Sequence, residues 1–226
     1  MSLSTPWHRR DLFVLTLLAF GLLVAWDASS LDITLAGFMG GETGFPLHEN
    51  WLLTRVLHDG AKRAAWALAM GLCLSVWWPI GPLRRLSLQA RLQLVATALI
   101  AAFAVAALKS FSYSSCPWNL SLFGGVARYA SHWSASPDGG SGHCFPAGHA
   151  SSGFAFLGGY FVFRRADPGI ARIWLFASLA AGLALGIVQQ FRGEHFMSHT
   201  LWTGLICWSI AMAIDGVQSR YPVLRT

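Results

Sequence analysis

The sequence predicts an all-α, polytopic membrane protein with six transmembrane helices. Hydrophobic residues make up 54% of the 226 residues and charged residues only 12%, which is unlike an ordinary soluble domain of this length. The mean hydropathy is positive, at +0.49. Several apolar stretches also approach the roughly 20 residues that a helix needs to cross the hydrocarbon core of a bilayer. These three observations favour the same fold class.

Six apolar stretches are the predicted spans. They are Leu12–Trp26, Ala64–Trp78, Leu92–Leu108, Ser151–Phe163, Ile173–Val188 and Leu201–Ala213. The fourth is short and contains three glycines, a residue type that is common where membrane helices pack closely. No small-residue cleavage site clearly follows the first stretch, so we expect a membrane anchor and not a cleaved signal peptide. Since no internal repeat or linker divides the chain, residues 1–226 are predicted to form a single domain.

The positions of the arginines predict the orientation of the spans. In a six-span arrangement the following arginines fall on one side: Arg9, Arg10, Arg84, Arg85, Arg91, Arg164, Arg165, Arg172, Arg220 and Arg225. Because such residues accumulate on the cytoplasmic side, we expect both termini in the cytoplasm and the functional loops on the periplasmic face of a bacterial inner membrane. The net charge of +6 is then mainly a topology signal, and no nucleic-acid partner is expected.

Two long connections, 27–63 and 109–148, lie on the opposite side, where functional residues are expected. Cys116 and Cys144 share the second of these connections, which faces an oxidising compartment. Because the sequence does not give the distance between them, a disulfide and two free thiols both stay open. Cys73 and Cys207 lie within spans and are expected to be packing residues.

Polar residues gather at three outward helix ends, at positions 109–118, 143–152 and 189–199. Taken separately, each cluster has an ordinary interpretation, such as an interfacial lysine or a capping histidine. Taken jointly, they supply what phosphoryl transfer requires. These requirements are cations and backbone N–H groups for the charged oxygens, a nucleophile, and an acid for the leaving group.

His195 and His199 are four residues apart, which places them on one face of a helix. Zinc also binds histidines at this spacing. However, Glu194 precedes His195 instead of following it, so the metalloprotease pattern is not met. We therefore expect neither a metal nor another cofactor.

In their order and spacing, the three clusters resemble the motifs of the type 2 phosphatidic acid phosphatase family, the membrane relatives of vanadium haloperoxidases. The matching residues are Lys109 and Pro117 in the first motif, Pro146, Gly148 and His149 in the second, and His195 in the third. The six-span layout is similar as well. The resemblance therefore covers most of the chain after about residue 90, with the active site at the outward (periplasmic) helix ends.

The chain departs from the family pattern at four positions. Cys116 and Gln189 stand where Arg is usual, Ala147 where Ser is usual, and His199 where Asp is usual. A lost phosphate donor could cost ~2–4 kcal/mol in the transition state if nothing replaced it. We expect Arg192 to supply the missing guanidinium and Gln189 to add an amide donor.

The resemblance implies a role for each matching residue. His195 would attack phosphorus and form a phosphohistidine, and His149 would protonate the leaving group and then activate water. Lys109 and the backbone N–H of Gly148 would hold the phosphoryl oxygens. A neutral His199 would orient His195 by accepting a hydrogen bond from its ring N–H. Activity should accordingly fall on acidification, as these histidines become protonated.

The implied function is that of an integral membrane lipid phosphatase that hydrolyses a phosphomonoester or a pyrophosphate lipid. Two alternatives stay open: a lipid phosphotransferase of the same fold, and a non-catalytic lipid-binding or transport protein. The expected partners are the lipid phosphate substrate and membrane lipids, with no obligate protein partner. A second polar set in the first outward connection could select the head group, and it comprises His48, Arg55, His58, Asp59, Lys62 and Arg63.

Overall fold

The computed structural model describes residues 7–220, whose regular structure is helical. The α-helices are α1 (Arg9–Asp27), α2 (Leu31–Gly37), α3 (Ala61–Ser75), α4 (Leu88–Ser110), α5 (Gly148–Phe154), α6 (Gly158–Phe163), α7 (Pro168–Phe191) and α8 (Met197–Arg220). A π-helical turn, Leu52–Gly60, runs into α3, and 3₁₀ turns cover Gly81–Arg85, Pro117–Asn119, Ser121–Phe123 and Ala155–Leu157. Within the described residues, β-structure is limited to two isolated bridges. The all-α prediction is confirmed.

Three helical segments are long and apolar enough to cross a membrane: α4, α7 and Met197–Ser219 of α8. A fourth would be α1 with α2, which meet at a bend of 67°. By contrast, α3 has 15 residues, or about 22 Å at 1.5 Å per residue. The predicted fourth span is divided into α5, a 3₁₀ turn and α6. The apolar helices are thus consistent with a membrane protein, while the number of six spans stays a prediction.

Large apolar side chains cover the outside of the helices. Phe13 and Leu22 of α1, Phe103 of α4 and Ile173 of α7 are each more than half exposed. Soluble monomers rarely expose contiguous apolar surface on this scale, whereas the hydrocarbon of a bilayer solvates it. The outer face of the helices is therefore suited to contact with lipid.

The two short helices α5 and α6 lie at the centre of the fold. Every residue of α6 is buried, and α5 packs closely against α7. Glycines permit this approach, because a β-carbon on Gly153 would meet the backbone of Gly182, and one on Gly182 would meet the ring of Phe154. The packing of α5 on α7 sets the position of His149, which lies in the first turn of α5.

Arginines gather at one end of the fold. Asp215 of α8 is almost fully buried there and accepts a hydrogen bond from Arg164 at 2.7 Å. Arg9 and Arg165 also contact Asp215. Since Arg85, just before α4, contacts Asp167 at this end and Lys109 lies in the last turn of α4, the three polar clusters lie at the opposite end. The orientation of the fold in a membrane stays a prediction. Arg225 lies outside the described residues, as does the side chain of Arg220.

We expect Gly153→Ala to lower the thermal stability of the purified protein. The new methyl group would meet the backbone of Gly182, so α5 and α7 would have to separate, and overpacking of this kind costs about 1–3 kcal/mol. Gly71→Ala in α3 is the matched control, because a β-carbon there meets nothing within 4 Å. Thermal unfolding in detergent compares the two variants. An unchanged unfolding midpoint for Gly153→Ala would contradict the close approach of α5 and α7.

Candidate active site

A disulfide between Cys116 and Cys144 joins the first polar cluster to the second. The two Cα atoms are 5.1 Å apart. Of the two possibilities that the sequence left open, the structure therefore contains the disulfide. Cys116, one of the four departures from the family pattern, is used for a covalent link between two segments and not for binding an anion.

The sulfur of Cys144 also contacts the third cluster. It lies 2.9 Å from the backbone oxygen of Glu194 and 3.5 Å from Nδ1 of His195. The side chain of His195 is buried, with only 3% of the residue exposed. Because Nδ1 faces the disulfide, Nε2 is the ring nitrogen that remains for a reaction.

Asp138 organises the long loop that carries Cys116. Its carboxylate accepts hydrogen bonds from the backbone N–H of Ser115 at 2.6 Å, from the Ser115 hydroxyl at 2.7 Å and from the backbone N–H of Gly140 at 3.0 Å. Buried polar groups in a loop need such partners to replace water. The contacts to Ser115 hold the chain immediately before Cys116.

Backbone contacts join the second cluster to the third. The N–H of Ala147 donates to the backbone oxygen of His199 at 3.4 Å. The hydroxyl of Thr203 lies 3.3 Å from the Ala147 oxygen and 2.7 Å from the His199 oxygen. These contacts place the start of α5 beside the first turns of α8, so His149 and His195 are brought to the same region.

Lys109 and His149 face a common cavity of about 350 Å³ between α3, α4 and α5. A β-carbon on Gly148 would lie 3.9 Å from Nζ of Lys109, so the lysine reaches the start of α5. Lys62 lines the same polar end of the cavity. The rest of the lining is mainly apolar and includes Ala65, Ala69, Ala98, Ala102, Val105 and Phe156.

His195 lies between α7 and α8 and is neutral at neutral pH. Burial lowers its pKa well below the ordinary value of 6.5, and the charge of Lys109 acts in the same direction. Burial lowers this pKa because a charged imidazolium is costly to place away from water. A neutral imidazole keeps the lone pair that a nucleophile needs.

Arg192 is held by protein groups next to the site. It is 6% exposed, and it donates to the backbone oxygen of His48 at 3.1 Å, to Gln189 Oε1 at 2.9 Å and to Glu194 Oε1 at 3.2 Å. These bonds use three of the five N–H groups of the guanidinium. Its charge is close enough to act on His149. Gln189 is fully buried and holds Arg192 in place, and contact of either residue with substrate stays a prediction.

His199 is almost fully buried and does not make the orienting contact that the sequence predicted. Its ring meets the ring of His195 edge to face, with centroids 5.8 Å apart, and no hydrogen bond between these two rings is found among residues 7–220. The reason is that Nδ1 of His195 faces Cys144 and that His195 lies in the loop before α8, so the two histidines do not share one helix face as their spacing predicted. His199 also packs edge to face against His132, whose Nε2 lies 3.3 Å from Oδ2 of Asp27.

The structure brings two members of the second polar set to the cavity beside His149, and a third, His48, contacts Arg192. The ring of His58 lies on the ring of His149, with centroids 3.7 Å apart, and Lys62 lines the cavity beside His149. Sequence reasoning identified the set but could not separate these two members from the others.

Sequence reasoning missed Asp32, because no motif marks that residue. Its carboxylate accepts a hydrogen bond from the N–H of Ser198 at 3.0 Å and so holds the start of α8.

One grouping of potential metal ligands is present in the described part of the chain, and it consists of Cys116, Cys144 and His195, whose ligand atoms lie within 4.8 Å of one another. Zinc binds cysteine as the thiolate. The two cysteines are joined as a disulfide and offer no thiolate, so this donor set does not fit a metal. A metal-free reaction stays a prediction.

Comparison with known proteins gave one family. Residues 90–219 match the family model described as the PAP2 superfamily. The matched region is more than half of the chain and contains all three polar clusters. Neither the search of curated proteins nor the search of solved structures gave a match.

We expect the double variant Cys116→Ala, Cys144→Ala to lose both stability and activity. The disulfide closes a loop with a sequence separation of 28, which corresponds to about 3–4 kcal/mol in the chain-entropy description, and its loss also frees the ring of His195. Cys73→Ala is the matched control, since Cys73 is a free cysteine outside the site. Thermal unfolding and phosphate release are measured together. A less stable variant with full activity would show that His195 does not depend on the disulfide for its position.

Proposed function

Since this chain belongs to the PAP2 superfamily, we propose that it is an integral membrane lipid phosphatase that acts through a phosphohistidine. Superfamily membership supports a phosphatase-type activity in general. The observation that carries the finer proposal is the position of Lys109 and His149 at the polar end of an otherwise apolar cavity, with the buried, neutral His195 close enough for the charge of Lys109 to act on it.

The proposed reaction has two steps. In the first, Nε2 of His195 forms a bond to phosphorus while the bond from phosphorus to the leaving oxygen breaks, and protonated His149 gives that oxygen a proton. Burial lowers the pKa of His149 to about 3 in the protein alone, and the negative charge of a bound phosphate raises this pKa so that His149 holds the proton it donates. In the second, water attacks the phosphohistidine, His149 takes a proton from this water, and inorganic phosphate leaves. Lys109 and the backbone N–H of Gly148 hold the phosphoryl oxygens and offset their growing negative charge. Arg192 contributes positive charge from the side of the third cluster.

The cavity supports a lipid as the substrate. It continues from Lys109 along α4 to Ala98, a distance of about 16 Å along the helix. Small alanine side chains on α3 and α4 leave room for a hydrocarbon chain, and the phosphate end would then meet the cations. A substrate with one end in lipid and the other at this site needs no passage through water.

We place the site on the periplasmic face of a bacterial inner membrane, with both termini in the cytoplasm. Two observations support this placement. Arg85, Arg164 and Arg165 lie at the end of the fold opposite to the site, as expected if they face the cytoplasm. The Cys116–Cys144 disulfide lies at the site end, and disulfides persist in oxidising compartments such as the periplasm.

We expect His195→Ala to abolish phosphate release from lipid phosphates, with a loss of at least about a thousandfold. Purified protein in detergent is supplied with a panel of lipid mono- and diphosphates and, for comparison, a short soluble phosphate ester. Release by the unmodified protein should survive excess EDTA, and radiolabelled phosphorus should be trapped on His195 after acid-free quenching. Transfer of the label to a second lipid would identify a phosphotransferase. No release and no transfer would favour a lipid-binding protein.

The acid limb of kcat/KM is expected well below pH 6.5, the ordinary pKa of histidine. Neutral His195 is the active form, and burial lowers its pKa, so the neutral fraction persists as the pH falls until the pH approaches the lowered value. The fall in activity that the sequence predicts is therefore moved to more acidic pH. A pH profile of kcat/KM, with stability checked at each pH, measures this. An acid limb at or above the ordinary value would contradict the burial of a neutral nucleophile.

A further inference from the structure

The ring of His58 packs against the ring of His149, a contact that has no role in the reaction proposed above. The two ring centroids are 3.7 Å apart and the ring planes are inclined by 35°. His58 lies in the π-helical turn Leu52–Gly60, a kind of turn that occurs frequently at functional sites. A side chain of the first outward connection therefore touches the group that donates the proton to the leaving oxygen.

Asp59 holds the ring of His58 from the other nitrogen. Nδ1 of His58 lies 2.8 Å from Oδ1 of Asp59, and this hydrogen bond is the main reason that the pKa of Asp59 lies below its usual value. Asp59 is also paired with Arg55 at 3.8 Å. With Nδ1 bound to the carboxylate, Nε2 is the ring nitrogen of His58 that remains for a ligand.

Lys62 adds a cation at the same end of the cavity. It follows His58 by four residues, about one helical turn, and lines the polar end of the cavity together with His149 and Lys109. Its charge acts on His149, as do the charges of Lys109 and Arg192. His149 thus lies within reach of three positive charges, those of Lys62, Lys109 and Arg192.

The position of these cations points to the chemistry of the leaving group. A general acid lies beside the oxygen that leaves, so groups that touch it adjoin the leaving group. A lipid monophosphate releases an alcohol whose oxygen is neutralised by the proton of His149, so added cations meet no second charge on this leaving group. A lipid diphosphate releases a lipid monophosphate, whose negative charge cations and N–H donors stabilise.

We propose that His58 and Lys62 form a subsite for the phosphate that stays on the lipid, so that the substrate of this protein is a lipid diphosphate. This inference rests on the phosphohistidine reaction proposed above. Nε2 of His195 bonds to the terminal phosphorus, and the bond from that phosphorus to the bridging oxygen breaks. The bridging oxygen keeps the bonding electrons and takes the proton of His149. His58 and Lys62 bind the lipid monophosphate as it forms, and water then releases inorganic phosphate from His195.

The test compares farnesyl diphosphate with farnesyl monophosphate, because the two substrates share one tail and differ only in the second phosphate. We expect the unmodified protein to prefer the diphosphate. Lys62→Ala and His58→Phe should lower kcat/KM for the diphosphate about tenfold to a hundredfold, while kcat/KM for the monophosphate changes less than about threefold. His58→Phe keeps an aromatic ring against His149 and removes only the N–H groups. Lys62→Arg keeps the charge and should restore the preference for the diphosphate.

Arg84→Ala is the control for loss of one positive charge, since Arg84 is exposed and lies at the opposite end of the fold. Equal losses on both substrates, or a preference of the unmodified protein for the monophosphate, would overturn the subsite and leave the phosphatase proposal intact. If no lipid gives His195-dependent release, the proposed function fails, and the subsite fails with it. Thermal unfolding of each variant separates a loss of fold from a loss of binding.

Discussion

Cys144 connects the three polar clusters, and the arrangement of the site depends on it. Its disulfide reaches the first cluster at Cys116, its backbone belongs to the second, and its sulfur packs against Glu194 and His195 in the third. These segments are far apart in sequence, and one of them is a long loop. A disulfide fixes the distance between two segments even where neither has regular secondary structure. The Cys116–Cys144 disulfide can therefore hold the long loop against the buried ring of His195.

Close packing at the centre of the fold makes this arrangement of the site possible. Gly153 and Gly182 let α5 lie directly on α7, which brings the start of α5 beside the loop that carries His195. The same burial keeps His195 neutral. Close packing and the neutral state of His195, the proposed nucleophile, therefore have one cause, the exclusion of water from the site end of the helices. At the cavity, Lys109 supplies the positive charge that the transferred phosphoryl group would meet, and Lys62 lines the same cavity.

The departures from the family pattern are connected to one another in space. Cys116 leaves no guanidinium at its position, and Arg192 lies nearby, held by Gln189 and Glu194. His199 offers no carboxylate, and Nδ1 of His195 faces a sulfur instead. In our proposal, phosphate binding has moved toward lysine, Arg192 and the first outward connection. A site rebuilt in this way depends on groups outside the three motifs, among which His58 has the closest contact with His149.

The sequence by itself determined the all-α class, the apolar character of the long helices, and the residues that could perform phosphoryl transfer. Hydropathy and motif spacing are local properties of the chain, so they can be determined without knowledge of the tertiary structure. Only the tertiary structure decided that Cys116 pairs with Cys144, that His199 meets His195 by its edge, and that His58 lies on His149. Each of these contacts joins segments whose approach depends on how helices pack, on glycines at the crossing points and on the path of a long loop. The division of the predicted fourth span into α5, a turn and α6 has the same origin, because its glycines serve packing within the fold.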